Sequence, residues 1–135
     1  MSRRAMIAAA WTIVILFLCW LPSHVMPVPE GGHHIPHLDK FVHAGMFAVF
    51  GSLWTWAGRG KRDAGRVALV GLVLAVVTEL GQGTSLVHRD PDVLDAMADL
   101  AGTALGIGFG LWMARWLPGR LSKPPAMASA GTGGR

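Results

Sequence analysis

The stretch VLDAMADLAGTALGIGFGLWMARWL, residues 93–117, decides the fold. Its twenty-five residues hold only three charges, Asp95 and Asp99 near the start and Arg115 near the end. A helix of about 20 apolar residues spans a bilayer, so this stretch is long enough to cross one. Asp90, Pro91 and Asp92 stand before it and read as an N-cap, a proline at the first helical position and an acid in the first turn. Pro118 and Gly119 close it. Small residues recur every fourth position, at Ala98, Gly102, Gly106 and Gly110, a spacing that lets a second helix backbone approach closely. Asp95 and Asp99 fall on roughly the same face.

Three further apolar stretches precede it: Ala5 to Leu21, Phe41 to Gly58, and Val67 to Leu86, the last interrupted by Glu79 and Gln82. The whole chain is 135 residues, 52% hydrophobic and 15% charged, where soluble domains carry about 25% charged residues. A single soluble core of this size would leave large apolar patches in water. The sequence therefore predicts an all-α integral membrane bundle of four transmembrane helices over about 5–21, 41–58, 67–86 and 93–117. The bilayer is its first partner. Residues 118–135 hold three prolines and four glycines and read as a disordered cytoplasmic tail. The N-terminal Arg3-Arg4 with its apolar run also resembles an export signal. Trp20 to His24 offers no small-residue cleavage site, so an uncleaved anchor is expected.

Lys and Arg counted by side give the orientation, because cationic loops stay in the cytosol. Ten fall at the N-terminus, in the second loop and at the C-terminal end, whereas only Lys40 and Arg89 fall on the other side. Both termini are thus expected in the cytoplasm. The net charge of +4 follows from this asymmetry and gives no reason to expect nucleic acid as a partner. Trp54, Trp56, Trp112 and Trp116 would lie at the inner interface and Trp20 at the outer one, with Trp11 fitting neither.

Ionisable groups collect at one depth below the outer surface. Asp39 and His43 are four apart, Glu79 and Gln82 three apart, and Asp95 and Asp99 four apart, so each pair shares a helix face. Carboxylates facing lipid would make insertion costly, so these residues are expected to face one another. Asp39, Lys40, His43, Glu79, Gln82, Arg89, Asp95 and Asp99 form the candidate polar cluster, and Gly102, Gly106 and Gly110 the packing surface. Structural ion pairs would explain any one of them. Five acids, counting Asp92, against Lys40 and Arg89 leave an acidic excess, which calls for protonated carboxyls, a charged His43, a bound cation or a basic ligand. No cofactor or metal is expected: Cys19 is the one cysteine, no HExxH is present, and the loop with His33, His34 and His37 is Gly-rich.

Asp39-Lys40-x-x-His43 with Phe47 and Gly51, Glu79-x-x-Gln82, Arg89, Asp95 and Asp99-x-x-Gly102-x-x-x-Gly106 resemble, in order and spacing, the VanZ-like family of small bacterial membrane proteins. The resemblance covers about residues 10 to 115. This chain departs from the family's pattern at Asp99, where Asn is common, and at Val87-His88, where Pro-Gly is common. The first departure makes the site more acidic. The resemblance implies a multi-pass protein of the bacterial cytoplasmic membrane with a cell-envelope role and altered susceptibility to glycopeptide antibiotics. Three functions stay open from the sequence. The first is an outward-facing polar pocket that binds an envelope component, such as a lipid-linked ligand. The second is an enzyme acting on an envelope lipid or phosphate, with Glu79 or Asp95 as general acid or base and Arg89 holding an anion. The third is a proton- or cation-coupled transporter.

Overall fold

The computed structural model describes residues 1–22, 38–58, 61–84 and 92–116. These residues form four helices and no strand: α1 (Arg3–Cys19), α2 (Leu38–Ala57), α3 (Lys61–Gln82) and α4 (Val93–Trp116). The expected tail (118–135), Arg89 and the His33, His34, His37 loop lie outside the described residues. Of the four helices, α3 and α4 are long and apolar enough to cross a membrane.

Each helix has a local cause. Ser2 caps α1, its hydroxyl accepting from Ala5 N at 3.2 Å. Asp92 caps α4: its carboxylate accepts from Leu94 N at 2.8 Å, and its carbonyl accepts from Asp95 N and Ala96 N. Asp92 is therefore the cap itself, one position before the helix, and not the first-turn acid that the sequence suggested. Helix α3 starts at Lys61, six residues before its apolar stretch, because residues 61–66, four of them charged, form its first turns. It ends at Gln82, with Gly83 and Thr84 turning on the carbonyls of Glu79 and Gly81.

The chain runs up, down, up and down. Trp20 at the end of α1 covers Gly81 at the end of α3, while Ala44 and Ala48 of α2 face Gly102 and Gly106 of α4 in the same order. Helices α2 and α4 are thus parallel, and they share the most extensive contact. A Cβ at Gly102 would overlap the carbonyl oxygen of Ala44, and one at Gly106 that of Ala48. Gly110 meets the Thr55 side chain, and Gly51 of α2 returns the contact against the backbone at Thr103. The missing side chains are what bring these two backbones together.

Ile15, Cys19, Phe47, Phe50, Leu74 and Ala75 form the apolar core between helices. Two indoles tie α1 to α2: Trp11 Nε1 donates to Met46 O at 3.0 Å, and Trp54 Nε1 to Thr12 Oγ1 at 3.1 Å. Trp11, which fits neither interface by sequence, is such a tie. The outside is strongly apolar, with Phe17, Phe41, Leu69, Leu80, Val93 and Leu105 all more than half exposed.

Candidate functional site

Among the described residues, a group of polar side chains lies inside the bundle at one end. His43, Glu79, Gln82, Asp95 and Asp99 are buried, contributed by α2, α3 and α4. In α2 the inward face runs through His43, Phe47, Phe50 and Gly51. In α3 it runs through Gly71, Leu74, Ala75, Thr78, Glu79 and Gln82, and in α4 through Asp95, Asp99, Gly102 and Gly106. The spacing of three and four residues repeats the helical period, so the charged end and the glycine seam belong to one face of α4.

Lys40 joins the mouth of the cluster. Its ammonium contacts Asp92 at 2.5 Å, Asp95 at 2.9 Å and Asp39 at 3.3 Å. The hydrogen bonds to Asp92 and Asp95 raise the Lys40 pKa well above the ordinary lysine range. Burial pushes Asp39 up, but the Lys40 ammonium outweighs it and holds the carboxyl below its usual value. Asp39 itself is half-exposed at the rim, its side chain at 54%, so it does not share the buried face of His43. Lys40 takes the place in the network that the i, i+4 spacing gave to Asp39.

Deeper in, His43 Nδ1 lies 3.0 Å from Asp99 Oδ1. Asp99 is fully buried and His43 nearly so. Thr103 Oγ1 donates to the Asp99 carbonyl at 2.9 Å, closing the turn below the pair. Glu79 Oε2 accepts from Asp92 N at 2.9 Å, at the N-terminus of α4, where the helix dipole favours an anion. Glu79 also lies within electrostatic reach of His43, Asp95 and Asp99. Among the described residues, three buried side-chain atoms of this group have no hydrogen-bond partner within bonding geometry: Glu79 Oε1, Gln82 Nε2 and Asp99 Oδ2, with the Thr78 side chain near Asp99. Buried polar atoms are nearly always satisfied, so three in one cluster mark a place where a polar partner can be held.

The structure thus brings together Lys40, His43, Glu79, Asp95 and Asp99, with Gln82 one turn after Glu79 at the end of α3. It leaves Asp39 at the rim, and Arg89 lies outside the described residues. Asp92, which sequence reasoning counted as an acid without placing it in the site, is central: it caps α4, binds Lys40 and takes the Glu79 carboxylate on its amide. Its position directly before the apolar run was the available signal. Among the described residues no group of three His, Cys, Asp or Glu side chains is arranged to hold a metal ion.

Comparison with protein-family models, with curated proteins and with solved structures finds no match to this chain.

Proposed function

We propose that the chain is a four-span protein of the bacterial cytoplasmic membrane, both termini inside, whose outward-facing acidic cluster binds an envelope component carrying a basic or hydrogen-bonding group. Support for the membrane reading is the reversed polarity: large apolar side chains cover the outside, whereas carboxylates, an imidazole and an amide lie inside. A soluble protein would pay heavily for that distribution, and a lipid-embedded one gains from it. The resemblance to the VanZ-like family points the same way and adds the envelope role and glycopeptide susceptibility.

The single observation that carries the binding reading is the set of unpartnered buried atoms, Glu79 Oε1, Gln82 Nε2 and Asp99 Oδ2. Two carboxylate oxygens accept and an amide donates, a combination that fits a hydroxyl group, which both donates and accepts; an ammonium would use the two oxygens alone. A second reading rests on the His43–Asp99 pair: a histidine oriented by a buried carboxylate is the arrangement of a general base, which an enzyme acting on an envelope lipid or phosphate would use.

The test is mass spectrometry of lipids and small molecules co-purified with the wild type, Glu79→Gln and Asp99→Asn, together with complementation of a deletion strain challenged with teicoplanin. Binding predicts a species held by the wild type and lost from both variants, with loss of complementation. Identical co-purified material and full complementation by both variants would remove the proposal. Turnover of the captured species by wild type but not His43→Gln would favour the enzyme reading.

A further inference from the structure

The acidic cluster divides into a filled half and an open half. In the filled half the Lys40 ammonium meets Asp92 at 2.5 Å, Asp95 at 2.9 Å and Asp39 at 3.3 Å, so each of its three donors has a carboxylate. A bound alkylammonium would be held in the same way. Here the alkylammonium is tethered to α2. In the open half, Glu79 Oε1, Asp99 Oδ2 and Gln82 Nε2 have no hydrogen-bond partner within bonding geometry among the described residues, and all three side chains belong to buried residues. The nearby Thr78 hydroxyl commits its own donor to Ala75 O at 2.8 Å. Asp92 joins the halves: its carboxylate is on Lys40, and its amide holds Glu79 Oε2 at 2.9 Å, which leaves Oε1 as the open oxygen.

Every carboxylate of the cluster has its charge met without a cation from a ligand. Asp95 has Lys40, Asp99 has the His43 imidazole at 3.0 Å, and Glu79 has the Asp92 amide at the positive end of α4. Asp39 and Asp92 stand on Lys40 with side chains 54% and 41% exposed, so solvent reaches them too. His43 follows Lys40 in α2, and Asp99 follows Asp95 in α4, by one helical turn, about 5.4 Å along the axis. An ammonium ligand in the open half would therefore stand close to Lys40, like charge beside like charge, and would leave the Gln82 amide unmatched. A hydroxyl both donates and accepts. Two adjacent hydroxyls serve both carboxylate oxygens and either end of the Gln82 amide.

We propose that Lys40 is the specificity-determining residue of this site: its ammonium fills the amine position of the cluster, so the headgroup admitted presents adjacent hydroxyls, those of a sugar or of glycerol, and an amine headgroup is refused. The inference rests on the binding reading of the cluster and narrows its ligand class.

The experiment is native mass spectrometry of the purified full chain in neutral detergent, titrated with glucosyl-diacylglycerol, phosphatidylglycerol or phosphatidylethanolamine. The first two carry adjacent hydroxyls on a sugar and on glycerol, and the third carries an ammonium. The wild type should retain a hydroxyl lipid about ten-fold over phosphatidylethanolamine, and the one retained identifies the source. Lys40→Ala should lose that preference because the vacated carboxylates accept the ethanolamine ammonium, whereas Lys40→Arg, which keeps the charge, should keep it. Lys40→Gln replaces Lys40→Ala where the latter does not fold. Propylammonium, the part of the side chain that Lys40→Ala removes, should raise the melting temperature of that variant and not of the wild type. Tetramethylammonium, which has no N–H, should raise neither. Equal retention of amine and hydroxyl lipids by the wild type, an unchanged preference in a folded Lys40 variant without the charge, or a Lys40→Ala that propylammonium fails to stabilise would overturn the inference. Glu79→Gln separates the two failures. Lipid retention identical to the wild type removes the binding reading and this inference together, whereas retention that Glu79→Gln abolishes but that shows no hydroxyl preference removes this inference alone.

Discussion

Lys40 and Asp99 show two ways in which one residue can set the state of the site. Lys40 holds three carboxylates at the mouth, and its pKa is raised by them. A raised pKa gives stability that is fully present below the unfolded lysine value of 10.5 and is lost as pH rises beyond it. Asp39, lowered, contributes above its unfolded value of 3.8 and loses that contribution as pH falls through it. The mouth should therefore hold constant stability from about pH 6 to about pH 9. Lys40→Gln should lower the melting temperature in detergent at neutral pH, and the deficit should shrink near pH 4.5, about where carboxylates begin to take up protons and lose their repulsion. A deficit that grows on acidification would contradict this account. For Asp99, Asn keeps an acceptor for His43, so Asp99→Asn should melt close to the wild type. Asp99→Leu leaves His43 Nδ1 buried without a partner and should cost about 1–3 kcal/mol.

At the scale of elements, the α2–α4 seam carries the fold. Its closeness comes from glycines whose missing Cβ atoms would otherwise meet backbone, which cannot move aside as a side chain can. Gly106→Leu should cost about 3 kcal/mol, the upper range of overpacking, or prevent folding. Leu105→Ala, at an outward position 70% exposed, should leave the melting temperature in detergent within a few degrees. Similar small effects from both would dissolve the seam. Because Asp95 and Asp99 lie on the same face as these glycines, the seam also sets the depth of the carboxylates against His43. Gly102→Ala should therefore disturb the site even where the bundle survives, read as lost ligand capture in a folded variant.

The whole molecule has two chemically opposite ends joined by an apolar barrel. One end concentrates Asp39, Glu79, Asp92, Asp95 and Asp99 around Lys40 and His43; the other concentrates arginines and lysines around Asp63. If the basic end is cytoplasmic, a C-terminal reporter is active in the cytosol alone and a tag inserted at Gly31 is labelled from outside intact cells. The reverse labelling would put the acidic cluster inside and exclude an envelope ligand.

Helix existence was legible because it depends on local period: four apolar stretches became four helices. The grouping of Glu79, Asp95 and Asp99 was legible too, because charge inside apolar runs has to be shared between helices. What the sequence could not fix is which residue pairs with which. Asp39 and Lys40 are adjacent in the chain, and only the packing of α2 against α4 brings the ammonium to Asp92 and Asp95 and leaves Asp39 at the rim. Trp11 likewise fits no interface by sequence, and only the packing of α1 on α2 gives its indole the Met46 carbonyl. Local physics, the helical period and the cost of unpaired charge, was written along the chain. Partner choice depends on the close approach of α2 and α4, which the glycine seam allows only once the helices are packed.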